Sequence, residues 1–258
     1  KNRGNVAVKI YAMTCGWLTS DLSMMLAGKV GKISFPVPAY LIDHPRGRVL
    51  FDSGLHLQCQ HDAPGRIGFL SDLFSVHFHP GEDIRSRLEQ LDVDANKIEF
   101  LVNSHLHFDH TGGNELLPNA KIIIQKREWE AGQIPELIQA NGYLPADYDQ
   151  GHLIQKVDGV HDLFGDGRIM TIPTFGHTPG HQSLKVRLDS GDVILTADAC
   201  YLKETLTNLH LPHLVHDRAE MLNSLLMLRK LQKSGARIFY GHDPEFWSQV
   251  PQAPKQIV

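Results

Sequence analysis

The stretch SHLHFDHTGG (104–113) puts three histidines and one aspartate into six positions, as H-x-H-x-D-H, directly behind the apolar run IEFLVNS (98–104). Imidazole and carboxylate are the donors a divalent ion takes when thiolate is absent. Residues two apart on a tightly turned loop, here His105 and His107, can aim at one ion. The adjacent pair Asp109 and His110 can turn toward a second. With His and Asp at this chain's frequencies, chance would produce the pattern in roughly one such sequence in a few hundred. A single loop rarely completes a catalytic metal site, so the fold must deliver further donors to it from distant parts of the chain.

Three segments qualify. TFGHTPGHQS (174–183) carries His177 and His181, LTADACY (195–201) carries Asp198, and YGHDPE (240–245) carries His242. Each places a metal-capable residue just past an apolar run that reads as a strand, and the ends of strands are where α/β sheets put active sites. Taking His105, His107 and His177 for one ion, and Asp109, His110 and His242 for the other, leaves Asp198 to bridge. That is the arrangement of two-metal hydrolases.

Short β-branched runs recur along the chain: VAVKIYAM (6–13), VPAYLI (37–42), RVLFD (48–52), IEFLVNS (98–104), KIIIQ (121–125), RIMTI (168–172), HQSLKVRL (181–188), DVILTAD (192–198) and RIFYG (237–241). Helical spacing appears at 80–93, at 126–140 with a break at Pro135, and at 217–235 between an Asp cap and Gly235. Short turns such as DHPRG (43–47) and DSGD (189–192) join some strands directly. Sheets containing antiparallel hairpins, with helices packed outside, are therefore expected. Neither a repeat nor a low-complexity linker divides the chain, and 1–258 reads as one domain.

Twenty-five Lys and Arg against 29 Asp and Glu give a net charge of −4, which offers no general attraction for nucleic acid or an anionic membrane. No run of 18 apolar residues is present, so no membrane-spanning helix is expected. The three cysteines (Cys15, Cys59, Cys200) form no C-x-x-C pair, which argues against a disulfide framework and for a reducing, cytoplasmic setting. The chain opens on Lys1 rather than methionine, which leaves a removed leader and a secreted form open.

These motifs resemble those of the metallo-β-lactamase superfamily, in which H-x-H-x-D-H is followed far downstream by a His, an Asp and a His. The resemblance covers essentially the whole chain and implies an αββα sandwich, two mixed β-sheets flanked by helices. FDSG (51–54) is similar to the family's early Asp-(Ser/Thr)-Gly turn, which would make Asp52 a support for the metal loop. The closer resemblance is to the N-acyl-homoserine lactone lactonases, carried by SHLHFDHTGGN (104–114), GHTPGHQSL (176–184), DACYLKE (198–204) and YGHD (240–243). By that pattern the first histidine of GHTPGH, His177, is the ligand, and His181 supports the site without touching metal. Tyr201, three residues after the bridging aspartate, corresponds to the substrate-orienting tyrosine.

The resemblance implies two divalent ions, zinc foremost, although imidazole and carboxylate sites also accept cobalt, iron or manganese. The implied substrate is a small-molecule lactone, opened by hydroxide that the two ions generate from a shared water. Tyr201 would donate to the carbonyl oxygen, and Asp109 would carry the proton to the leaving ring oxygen. Related enzymes with similar motifs act on pyridoxolactone or, in glyoxalase-II-like thioesterases, on thioesters, and these are the alternatives.

Residues 54–80 read either as a helical insertion on the core or as an apolar pocket wall, with Phe69 and Phe74 as lining candidates. Met24 is a third. The apolar stretch WLTSDLSMMLAG (17–28) is the candidate surface for a homodimer.

Overall fold

The computed structural model describes residues 7–258, so Val6 of the first expected strand lies outside the described residues. The strands are β1 (Lys9–Asp21), β2 (Lys32–His44), β3 (Gly47–Phe51), β4 (Ser75–His77), β5 (Phe100–Val102), β6 (Lys121–Gln125), β7 (Ile154–Val157), β8 (His161–Asp162), β9 (Ile169–Pro173), β10 (Gln182–Leu188), β11 (Gly191–Leu195) and β12 (Arg237–Phe239). The helices are α1 (Ala63–Ile67), α2 (Ile84–Glu89), α3 (Phe108–Thr111), α4 (Lys126–Ala131), α5 (Pro135–Asn141), α6 (Pro145–Tyr148), α7 (Lys203–Asn208), α8 (Arg218–Lys233) and α9 (Pro244–Trp247).

Two mixed sheets result, one ordered β4-β1-β2-β3-β5-β6-β7 and the other β12-β11-β10-β9-β8. Their facing sides share one core, which includes Ile42, Phe51, Val102 and Ile123 from the larger sheet and Leu184, Val186, Val193 and Leu195 from the smaller. The period-2 alternation of a strand assigns the remaining side chains to the outer layers. In β6, Ile123 points between the sheets while Ile122 and Ile124 meet Ile84, Leu88 and Ala131 on the outside. In β11, Val193 and Leu195 point inward while Ile194 meets Met221, Leu225 and Leu228 of α8. Each of those fully buried helix side chains contributes about 2 kcal/mol of apolar transfer energy. The layers therefore run helix, sheet, sheet, helix, as the αββα expectation had it.

Both expected hairpins form: β2 pairs antiparallel with β3 across 44–47, and β10 with β11 across 188–191. The expected helix at 126–140 is split at Pro135 into α4 and α5. The expected helix at 80–93 is shorter, because Asp83 accepts the Ser86 N–H and caps it there, leaving Pro80 to Glu82 outside. The first strand runs eight residues past the expected end, through a register shift between Thr14 and Trp17 that its polar TCG sequence conceals. In residues 17–28, the candidate dimer surface, Leu18, Met25 and Leu26 are buried inside their own chain, while Trp17, Leu22 and Met24 are half-buried. Among the described residues no helix is long and apolar enough to cross a membrane.

Candidate metal centre

Parallel pairing decides where the polar strand ends meet. Leu195 of β11 is in register with Phe239 of β12, so Asp198 and His242, each three residues further on, emerge together. Phe51 of β3 is in register with Val102 of β5, which brings Asp52 beside the H-x-H-x-D-H loop. The loop after β9 returns antiparallel into β10 and hands in His177 and His181. A close approach seals the Asp198 and His242 loops: a Cβ on Gly241 would lie 2.2 Å from the Ala197 carbonyl oxygen. Ala197 itself is left-handed, at φ 46°, in the turn that aims Asp198.

Two donor groups result. One atom each from His105, His107, His177 and Asp198 lies within 4.8 Å of the others, and so do atoms of Asp109, His110 and His242. The Asp198 carboxylate divides between them. Its Oδ2 is 3.4 Å from His105 Nε2 and 3.2 Å from His177 Nε2, while Oδ1 is 3.2 Å from His110 Nε2 and 3.0 Å from His242 Nε2. Asp109 Oδ2 completes the second group, 3.3 Å from His110 Nε2 and 3.4 Å from His242 Nε2.

The buried atoms His110 Nε2 and Asp198 Oδ1 have no aligned hydrogen-bond partner although they lie 3.2 Å apart. Unpaired buried polar atoms are costly. Polar atoms this close and yet not hydrogen-bonded to each other are what donors arranged around a cation leave. The donor set thus fits two divalent ions.

The outward nitrogen of each imidazole is held. His107 Nε2 donates to the Asn141 carbonyl at 2.7 Å and His242 Nδ1 to the Pro36 carbonyl at 2.7 Å. His105 Nδ1 is 2.8 Å from Ser104 Oγ. His110 Nδ1 donates to Asp52 Oδ2 at 2.7 Å, and the same aspartate accepts the Ser104 N–H and hydroxyl, both at 2.7 Å. Asp52 adopts a left-handed backbone, φ 61°, to do this. Such contacts fix ring direction and hold a proton on the outer nitrogen, so the inner one is the nitrogen offered to an ion.

His181 stands apart. Its Nδ1 is 2.8 Å from Thr174 Oγ1, and its Nε2 accepts the Asp198 backbone N–H at 3.1 Å. With both nitrogens engaged it holds the loop of Asp198 and has no free lone pair for an ion. The Tyr201 hydroxyl sits 3.4 Å from His177 Nδ1 and faces the cavity above the cluster.

Burial, then the neighbouring His177, lowers the His107 pKa to about 4. For His110 burial is outweighed by the charges of Asp109, Asp198 and Asp52, which raise it well above the usual histidine range. Burial, reinforced by Asp198 and Asp109, pushes the Tyr201 phenol well up, so it is a proton donor at neutral pH.

A cavity of about 450 Å³ opens over the two donor groups, within the range of small-molecule sites. Its floor is His107, Asp109, His177, Asp198, Tyr201 and His242. Its walls include Met24, Met25, Phe69, Leu70, Leu73, Phe74, Phe108, Leu214 and Val215. Residues 54–80 combine the two sequence readings: α1 and the 3₁₀ turn after it pack Ile67 and Leu70 into the core, Phe78 packs there just past β4, and Phe69 and Phe74 face the cavity. Sequence reasoning passed over Ser104, the carbonyls of Pro36 and Asn141, and Glu128. Backbone acceptors carry no residue signal, and Glu128 in KREWEA reads as a solvated helix charge.

A two-sheet sandwich with this cluster at one end defines a class, and the chain belongs to the metallo-beta-lactamase superfamily, whose family model matches residues 34–242. Within it, the chain belongs to the N-acyl homoserine lactonase family. It is 33% identical over 256 residues to N-acyl homoserine lactonase AttM of Azorhizobium caulinodans, covering 96% of this chain and 97% of the relative. It is 31% identical over 243 residues to N-acyl homoserine lactonase AiiA of Bacillus thuringiensis subsp. kurstaki, covering 92% and 94%. A solved N-acyl homoserine lactone hydrolase with N-hexanoyl-L-homoserine at its catalytic metal centre superposes with a TM-score of 0.88 at 28% identity, covering 98% of this chain and 100% of that one.

Proposed function

We propose that this enzyme hydrolyses N-acyl homoserine lactones with two divalent ions, zinc being the metal best suited to a borderline imidazole and carboxylate donor set. The observation that carries the reading is Asp198, which turns one oxygen to each donor group beneath a mainly apolar cavity floored by the Tyr201 hydroxyl. His105, His107 and His177 would hold one ion, Asp109, His110 and His242 the other. When bound, such a pair supplies Lewis acidity and a nucleophile at neutral pH.

The chain's own residues do the rest. With Nε2 turned toward the donor group, His177 would carry its proton on Nδ1, 3.4 Å from the Tyr201 oxygen, which would leave the phenol hydrogen free for the cavity. There it donates to the lactone carbonyl oxygen and stabilises the charge that develops as water adds to the carbonyl carbon. The bond to the ring oxygen then breaks. Asp109, which reaches the cavity floor, takes the proton that water loses and returns it to the ring oxygen, so that the alkoxide leaves as an alcohol. Met24, Phe69, Phe74 and their neighbours exclude water and receive the acyl chain.

The test is hydrolysis followed by pH-stat for acyl homoserine lactones of several chain lengths, beside pyridoxolactone, S-lactoylglutathione and nitrocefin. Turnover of the acyl homoserine lactones is expected to dominate, to vanish on chelation and to return with zinc. Full activity in the metal-free protein, or faster thioester cleavage, would overturn the proposal.

A further inference from the structure

Glu128 lies on α4, and its side chain is fully buried, although nothing in KREWEA marks it off from a surface charge. Its carboxylate takes three donors. Oε1 accepts the Leu106 backbone N–H at 3.0 Å and the Tyr143 hydroxyl at 2.7 Å, and Oε2 accepts the Gly180 backbone N–H at 2.8 Å. Leu106 stands between His105 and His107, and Gly180 stands between His177 and His181. One buried carboxylate therefore joins the backbones of the two loops that supply the three histidines of one donor group. The contact is close: a Cβ on Gly180 would lie 2.2 Å from the Glu128 backbone nitrogen, so only glycine lets the loop sit there. Tyr143 extends the link, its ring centre 5.6 Å from that of His107.

We infer that Glu128 is a positioning residue for the metal centre: it sets the spacing between the H-x-H loop and the His177 loop, and through it the affinity and geometry of the ion held by His105, His107 and His177. The inference rests on the metal-centre reading above. Glu128 touches neither the donor atoms nor the cavity, so its effect passes entirely through the backbone it holds. A carboxylate suits the task because all three partners are donors and both its oxygens accept. An amide offers only one accepting oxygen, and whichever way it turns, its NH₂ faces another donor.

Glu128→Gln is expected to weaken one of the two ions about 10- to 100-fold, as loss of a contact behind a metal ligand does, while the other ion keeps its wild-type affinity. Chelator competition with zinc and the visible absorption of the cobalt(II)-loaded protein read this without any substrate. Tyr148→Phe is the control. It removes a hydroxyl that donates to the Gly132 carbonyl at 2.8 Å in the same region but touches neither loop. It should lower thermal stability and leave both metal affinities and the cobalt spectrum unchanged. Should Glu128→Gln not accumulate folded, Tyr143→Phe removes one donor and should weaken the same ion about two- to tenfold. Wild-type affinities and an unchanged cobalt spectrum in either variant would overturn the inference. So would a loss in Tyr148→Phe as large as that in Glu128→Gln, since the effect would then be general destabilisation. A wild-type protein that binds two ions but opens no lactone overturns the functional reading alone and leaves this comparison decisive.

Discussion

Replacing Asp52 by Asn should disable one half of the metal centre without removing a ligand. In the native site Asp52 Oδ1 accepts the Ser104 N–H, and Oδ2 accepts both the Ser104 hydroxyl and His110 Nδ1–H, each at 2.7 Å. Asparagine can keep Oδ1 on the Ser104 amide, but its NH₂ group then faces His110 Nδ1, donor against donor. The conflict is relieved if His110 moves its proton to Nε2. That nitrogen faces Asp109 and Asp198 at 3.3 and 3.2 Å, and once protonated it has no lone pair to give. Loss of a hydrogen bond to a charged group costs about 1.5–3 kcal/mol. Removing a partner behind a metal ligand typically weakens metal about 10- to 100-fold, equivalent to about 1.4–2.7 kcal/mol. The two routes agree. The ion held by Asp109, His110 and His242 should therefore weaken by that factor, with a smaller loss at the other ion through Ser104, whose hydroxyl joins Asp52 to His105. Metal content after dialysis and chelator competition would measure it, with circular dichroism to show that the fold persists. An Asp52→Asn protein that holds both ions at wild-type affinity would refute the tautomer argument.

Tyr201→Phe should lower kcat about 100-fold, as loss of one donor to a developing oxyanion does, with metal content unchanged, because the phenol belongs to neither donor group. Phe74→Ala removes part of the cavity wall. At about 50 Å² of lost contact, worth about 1.2 kcal/mol, kcat/KM for a decanoyl lactone should fall several-fold more than for a butanoyl one, and an equal loss for both would remove Phe74 from the acyl path. Burial pushes Asp147 up from 3.8 to about 6 against the pull of Arg66, so between those values the native state binds more protons than the unfolded chain. Stability from this group is therefore present at about pH 4 and falls by up to about 3 kcal/mol as pH rises through 6. Asp147→Asn lacks that slope, and urea unfolding of both proteins at pH 4.5 and 7.5 should show wild type losing ground to the variant. Parallel curves would contradict the shift.

Much of the site was legible because ligand chemistry is written in residue type. The motif H-x-H-x-D-H, and the three polar residues each just beyond an apolar run, named the donors His105, His107, Asp109, His110, His177, Asp198 and His242 that the fold brings together. Strands with strong β-branched runs, such as KIIIQ, were equally plain. Short polar strands were not: β4, β7 and β8 have two to four residues each and owe their conformation to neighbours. The division of labour between His177 and His181 was implied by the family resemblance, while spacing alone left it open. The two sit in the same GHTPGH loop, and only the contacts of His181 with Thr174 and the Asp198 amide show that its nitrogens are already spent.

By itself, then, the sequence determined the kinds of donor, their number and the strand ends that carry them, because periodicity and side-chain chemistry are local properties. Register and packing decided what those donors could do together. Parallel pairing of β11 with β12 and of β3 with β5 brings residues from four distant segments to one end of the sandwich. Buried acceptors such as Asp52, Glu128 and the Pro36 carbonyl then turn each ring or loop to its place. A carboxylate or carbonyl acquires that role only from what stands within 3 Å of it, and long-range contacts of that kind exist only once the chain has folded.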